Sequence, residues 1–125
     1  MLKKTMTYKD YNDVERTEDF YFALNKAELT VMDFSHPGGL QQYIKEITDA
    51  KDTAALILLF KDLLMLSYGE KSADGKKFMK KDAFGNPLNL NFEASPVYEE
   101  LFMLFGTNAD AASEFIQGII PSDIK

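Results

Sequence analysis

The sequence predicts a mainly α fold: a compact helical domain with an N-terminal β-hairpin (α+β by strict count), formed as a single unit over residues 1–125. Three observations carry that prediction. Residues 3–24 alternate polar and apolar side chains with period two, the repeat of a pleated strand. Residues 26–121 place apolar side chains at helical spacing, interrupted by an irregular connection at about 70–94. A chain of 125 residues, 46% hydrophobic and 27% charged, has the size and composition of one ordinary core.

In the hairpin, Thr5, Thr7 and Lys9 alternate with Lys4, Met6, Tyr8 and Asp10, and later Phe20, Phe22 and Leu24 alternate with Asp19, Tyr21 and Ala23. Asp10-Tyr11-Asn12-Asp13 supplies the turn, because Asn and Asp tolerate left-handed backbone angles and bond their own main chain. A two-stranded hairpin is marginal alone, so it must dock on the helical part or pair with another copy. Asn25 then caps a short helix over 26–34, with Leu29, Met32 and Phe34 inward. Ser35-His36-Pro37-Gly38-Gly39 breaks the chain, and Leu40, Tyr43, Ile44 and Ile47 line one face of an amphipathic helix.

The strongest element spans residues 52–68, with Asp52 as N-cap and Gly69 as C-cap. Leu56 to Phe60 and Leu63 to Leu66 cover nearly its whole circumference, so it is either a central core helix or one that shares a face with a partner. Residues 70–81 read as a loop or small hairpin around Asp74-Gly75. Residues 82–94 read as irregular, with Leu88, Leu90 and Phe92 alternating as a short extended segment. Ser95-Pro96 opens a helix with the stripe Tyr98, Leu101, Phe102 and Phe105, which Gly106 ends. Thr107-Asn108-Ala109-Asp110 has the form of a capping box before a last stripe of Ala111, Ala112, Phe115, Ile116 and Ile119, closed by Pro121.

Composition excludes several function classes. A net charge of -6 opposes binding to phosphate backbones and anionic membranes. The basic stretch Lys71, Lys76, Lys77, Lys80 and Lys81 is interleaved with Glu70, Asp74 and Asp82, the pattern of a solvated loop. No cysteine is present, which rules out disulfides, thiolate metal sites and a Cys nucleophile, and fits a reducing compartment. The N-terminal residues show no apolar h-region of a signal peptide. Ala54 to Tyr68, interrupted by Lys61 and Asp62, falls short of the about 20 residues of a membrane span. The expected setting is the cytoplasm.

Chemical motifs are few. His36-Pro37-Gly38-Gly39 resembles the haem-ligand tetrapeptide of cytochrome b5, but that site needs a second axial His and His36 is the one histidine of the chain. A turn before a helix accounts for these residues better. Placing Gly75 at the sixth position of a calcium loop puts Lys81 where a bidentate Glu is required. Gly38-Gly39 lacks the Gly-Lys-Ser/Thr of a phosphate loop, and no nucleophile elbow accompanies His36. The reading is therefore of a binding protein, not an enzyme, with no cofactor or metal.

Several segments together resemble the tail assembly chaperone family of long-tailed phages (siphophages) of Gram-positive hosts. They are Tyr8–Asn12 running to Arg16–Phe22, then Lys26–Leu29, Gly38-Gly39-Leu40 and Phe60-Lys61-Asp62. Tyr68–Ser72, Asp74-Gly75-Lys76, Tyr98–Phe102, Thr107–Ala112 and Phe115–Pro121 complete the set, in order over almost the whole chain. Asp13 departs from the Gly expected at the hairpin turn, and residues 83–94 depart from an acidic helical lead-in.

The resemblance implies a protein that coats the long, helical tape measure protein and keeps it soluble. It would promote polymerisation of the major tail protein, reached through an extended second form, and be absent from the mature virion. A structural tail component and a carrier of haem or another small ligand are the competing readings. For a chaperone, Leu56, Leu59, Phe60 and Leu63, with Phe102 and Phe105, are the candidate client contacts; the alternative is that they are core. Free hairpin edges make self-association a further expectation.

Overall fold

A computed structural model describes residues 1–121. Strands β1 (Leu2–Lys9) and β2 (Glu15–Phe22) precede helices α1 (Lys26–Ser35), α2 (Leu40–Asp49) and α3 (Thr53–Ser67). Strands β3 (Tyr68–Lys71) and β4 (Phe78–Met79) follow, then α4 (Asn89–Glu93), α5 (Pro96–Thr107) and α6 (Ala109–Ile119).

The mainly α expectation is corrected by the sheet. Four antiparallel strands in the order β1-β2-β3-β4 form a sheet, not a lone hairpin, and the fold is α+β. The Gly69 C-cap expected for α3 is also corrected, because β3 follows that helix without a break. No left-handed cap closes α3; Tyr68 is already extended (φ -64, ψ 138), and Gly69 lies opposite Tyr21. A Cβ on Gly69 would stand 2.7 Å from Phe78 Cε2 and 2.8 Å from the Met79 carbonyl oxygen, so glycine is required there for close approach.

The N-terminal hairpin follows its pattern. Leu2 faces Phe22 and Lys9 faces Glu15, and the even-numbered β1 side chains are half-buried while the odd ones are exposed. On the exposed face Thr5 Oγ1 donates to Asp19 Oδ1 at 2.6 Å and the Thr7 and Thr17 hydroxyls are 2.9 Å apart. At the tip, the Asp13 N–H donates to the Asp10 carbonyl at 3.0 Å and Asp13 is left-handed (φ 61), a turn-plus-bulge loop with Asp in the position glycine favours.

The inner face of the sheet meets the helices through aromatic rings. Phe22, fully buried, lies edge-on to Phe92 and Phe115 at 5.6 Å each and to Tyr68 at 5.9 Å, and Phe92 stacks on Tyr68 at 4.3 Å. Leu63, Leu64, Val97, Leu101 and Ile119 fill the rest of this core.

Local chemistry sets the helices and their ends, with four departures from expectation. Asn25 and Glu28 form a reciprocal capping box on α1, and the Asp52 carboxylate accepts from the Ala55 N–H at 3.0 Å. On α1, Leu29 is buried and Met32 half-buried, but Phe34 is 89% exposed, not inward. Gly106 does not end α5, which runs on to Thr107; Asn108, not Thr107, caps α6 by accepting from the Ala111 N–H at 3.1 Å. Ser95 precedes Pro96 as expected, yet its hydroxyl donates to the Phe92 carbonyl instead of capping α5.

Leu88, Leu90 and Phe92 are not extended. Asn89 Nδ2 donates to the Met65 carbonyl at 3.0 Å and the short helix α4 starts there; Phe92 turns into the core, and Leu88, four residues before it, is half-buried. Leu90, between them, points out and is 57% exposed.

Candidate functional site

A protein that works by binding needs apolar side chains left outside its own core. The six candidate contacts divide between core and rim. Leu59, Leu63 and Phe105 are core residues, at 6%, 1% and 4% exposure, and Phe105 stacks on Phe115 with ring centroids 4.6 Å apart. Leu56, Phe60 and Phe102 are half-buried and packed against that core. The physical reason is the position of α3, which packs on α2 along one side and on α5 along another. Its Leu59, Leu63, Leu64 and Ser67 all turn inward.

The outer face of the same helix carries Ile57 and Leu58, both exposed, with Ala54 and Lys61 at helical spacing beside them. Helix α5 leaves Met103 and Leu104 exposed, and α1 leaves Val31 and Phe34. Sequence reasoning missed these positions because a helix apolar all round gives no phase: periodicity cannot say which side meets the core. Val31 and Phe34 did carry a signal, since they share a helical face that Leu29 does not.

His36-Pro37-Gly38-Gly39 forms the corner between α1 and α2. Gly38 and Gly39 have φ of 84 and 93, the Gly39 N–H donates to the His36 carbonyl, and Asp33 Oδ1 accepts from the Leu40 N–H at 2.9 Å. The His36 ring stacks on Tyr43 at 4.2 Å. Among the described residues, no group of three or more His, Asp or Glu side chains could hold a metal, and no helix is long and apolar enough to cross a membrane.

Lys80 departs from the solvated basic stretch that the sequence predicts. Its Nζ donates to the carbonyls of Ala23 (2.9 Å) and Leu66 and pairs with Glu28 Oε2 at 3.2 Å, with the Phe78 ring beneath. Burial pushes its ammonium below the usual lysine range, opposed by Glu28. Glu28 Oε1 also receives the Asn25 N–H. One cation thus joins the end of β2, the start of α1 and the end of α3. Lys71, Lys76, Lys77 and Lys81 are exposed, as a solvated loop requires.

The hairpin tip has its own polar network. Asp10 accepts from the Asn12 and Val14 N–H groups and from Arg16 Nε, and the Arg16 bond foremost holds its carboxyl below the usual range. An open cleft of about 450 Å³ lies away from the tip, where β2 and β3 part, lined by Glu18, Asp19, Phe20, Tyr21, Tyr68, Glu70, Lys71 and Met79.

Exposed apolar side chains thus recur on three helices. Comparison with protein families matches residues 1–125 to the one described as phage tail assembly chaperone. The chain belongs to that family. No curated protein and no solved structure matches it. Exposed apolar side chains on α1, α3 and α5 stand on the outside of this tail assembly chaperone.

Proposed function

We propose that this chaperone binds and solubilises the tape measure protein and promotes tail-tube polymerisation around it. Its action is binding without catalysis, in the host cytoplasm, with recruitment of the major tail protein through an extended form and departure before the virion is complete. The observation that carries this reading is the apolar surface on α1, α3 and α5, above all Ile57, Leu58, Met103 and Leu104, in a chain of this family. Long apolar helices are best shielded by adaptable apolar contacts, which Leu, Ile and Met provide. A net charge of -6 keeps such a complex soluble.

Co-expression with the tape measure protein of the same phage tests the reading. The expected result is a larger soluble fraction of that client and its co-purification with the chaperone. Leu58→Glu should abolish this rescue while changing stability by no more than about 0.5 kcal/mol, as for other exposed positions. Well-expressed partners that neither co-purify nor gain solubility would refute the reading. Recovery of the protein from purified virions would instead mark it as a structural tail component.

A further inference from the structure

The cleft between β2 and β3 is walled by a strand on each side. Tyr21 and Phe22 pair with Gly69 and Tyr68, and beyond them the two strands part. The Ala23 N–H donates to the Ser67 carbonyl at 2.8 Å, so odd-numbered residues of both strands direct their N–H and C=O toward each other. The flanking ladders agree. The bond from the Asp10 N–H to the Val14 carbonyl commits the even-numbered residues of β2 to β1. The bond from the Ser72 N–H to the Lys77 carbonyl commits the even-numbered residues of β3 to β4. Asp19 and Lys71 would form the next pair after Tyr21 and Gly69, but the ladder stops before them. Their main-chain groups face the cleft from its two walls.

Side chains around the cleft fall on two faces. Phe22 and Tyr68 are partners and Phe22 is buried, so Glu18, Phe20, Tyr68 and Glu70 share the face that meets the helices, while Asp19, Tyr21 and Lys71 share the outer one. The outer face is balanced: Asp19 pairs with Lys3 at 3.5 Å, and Lys71 Nζ lies 5.9 Å from the centre of the Tyr21 ring. The inner face is acidic. Glu18 and Glu70 are exposed, and among the described residues no lysine or arginine forms an ion pair with either. Burial pushes the Tyr68 hydroxyl up, and the carboxylates of Glu70 and Glu18 push it further, which places both charges about that ring.

We infer that the cleft binds a single extended segment of another protein, with a lysine or arginine at every second residue, as a strand added between β2 and β3. Main-chain bonds to Asp19 hold the segment, as in other cases of strand addition. Its alternate side chains fall on the inner face, where their aliphatic stems lie on Phe20 and Tyr68 and their charges meet Glu18 and Glu70. The residues between them fall on the outer face, which asks for no charge. An edge strand of a folded sheet has one side already bonded and cannot enter a gap walled on both sides, so the occupant is a loose segment. The site is separate from the exposed helix faces and does not depend on what they bind.

The probe is the capped peptide Lys-Val-Lys-Val-Lys, with Glu-Val-Glu-Val-Glu as its control, titrated into the full chain by calorimetry. Saturable one-to-one binding of the lysine peptide, and none of the glutamate peptide, is expected. Amide hydrogen exchange locates it: the Asp19 amide, unbonded within the sheet, should slow when peptide binds, while the Glu18 amide, bonded to Met6, should not change. Glu70→Lys should weaken binding about tenfold, from reversal of one cross-strand charge pair. Circular dichroism melts check that this variant folds; if it does not, Glu18→Gln, which keeps an acceptor for the Tyr8 hydroxyl, should weaken binding severalfold. No binding at millimolar peptide overturns the inference. So does equal binding of the glutamate peptide, or binding that leaves the Asp19 amide unchanged or is indifferent to the charge variants. Oligomers of the protein alone that Glu70→Lys disperses would put a second copy in the cleft and overturn it too.

Discussion

Among the described residues, two non-glycine residues occupy the left-handed region, Asp13 (φ 61) and Lys51 (φ 54), and they differ in what the backbone asks of them. Lys51 ends α2: its N–H donates to the Thr48 carbonyl and the Asp52 N–H to the Ile47 carbonyl, the double bond of a Schellman cap. That position is normally glycine, because a Cβ there costs about 1–2 kcal/mol. Asp13 is better suited, since a short polar side chain tolerates the conformation. Lys51→Gly should therefore raise stability by about 1 kcal/mol, a rise of about 4 °C in the unfolding midpoint. Calorimetry decides it; a lower midpoint would mean that the Lys51 side chain contributes more than its backbone strain costs.

At the scale of elements, α3 shows both what the sequence discloses and what it hides. Its existence, extent and Asp52 cap were legible because apolar density and cap chemistry are local. Its orientation was not, because burial of Leu59 and exposure of Leu58 depend on where α2 and α5 pack. The same distinction separates the N-terminal hairpin, read from its alternation, from α4, which is too short to carry a period; the small β3–β4 hairpin was legible from its Asp74-Gly75 turn, but its pairing with β2 was not. Phe92 is a core residue, but the turn that buries it is made by backbone bonds such as Phe92 N–H to the Leu88 carbonyl together with the Asn89–Met65 bond, none of which carries a periodic sequence signal. For the client-binding residues the consequence is direct: Leu59 and Leu63 hold the molecule together, so their substitution says nothing about partners. Leu59→Glu places a carboxylate in a site 6% exposed and should cost upward of about 3 kcal/mol, unfolding much of the protein. Loss of the cooperative melt checks this, and a Leu59→Glu protein with native stability would return that residue to the surface.

For the molecule as a whole, the sheet must be held against the helices by more than the Phe22 cluster, because β3 and β4 are short and β2 meets β3 at two residue pairs only. Lys80 lies at that junction. Its ammonium answers two carbonyls and one carboxylate from three separate elements. The Leu66 carbonyl, near the negative end of α3, is well placed for a cation. Removing the charge leaves Glu28 without its cation and two carbonyls without their donor, and hydrogen bonds to charged groups contribute about 1.5–3 kcal/mol each, net of the bonds to water they replace. Lys80 remains partly open to solvent, so water recovers some of that loss. Lys80→Met, which keeps the length of the stem, should destabilise the protein by about 2 kcal/mol. Neighbouring Lys81 is exposed, and Lys81→Met should leave the midpoint within about 0.5 kcal/mol. Hydrogen exchange gives the finer reading: in Lys80→Met the amides of β3, β4 and the first turn of α1 should lose protection before those of α5 and α6. Equal behaviour of the two lysine variants would show that the aromatic core alone holds the sheet in place.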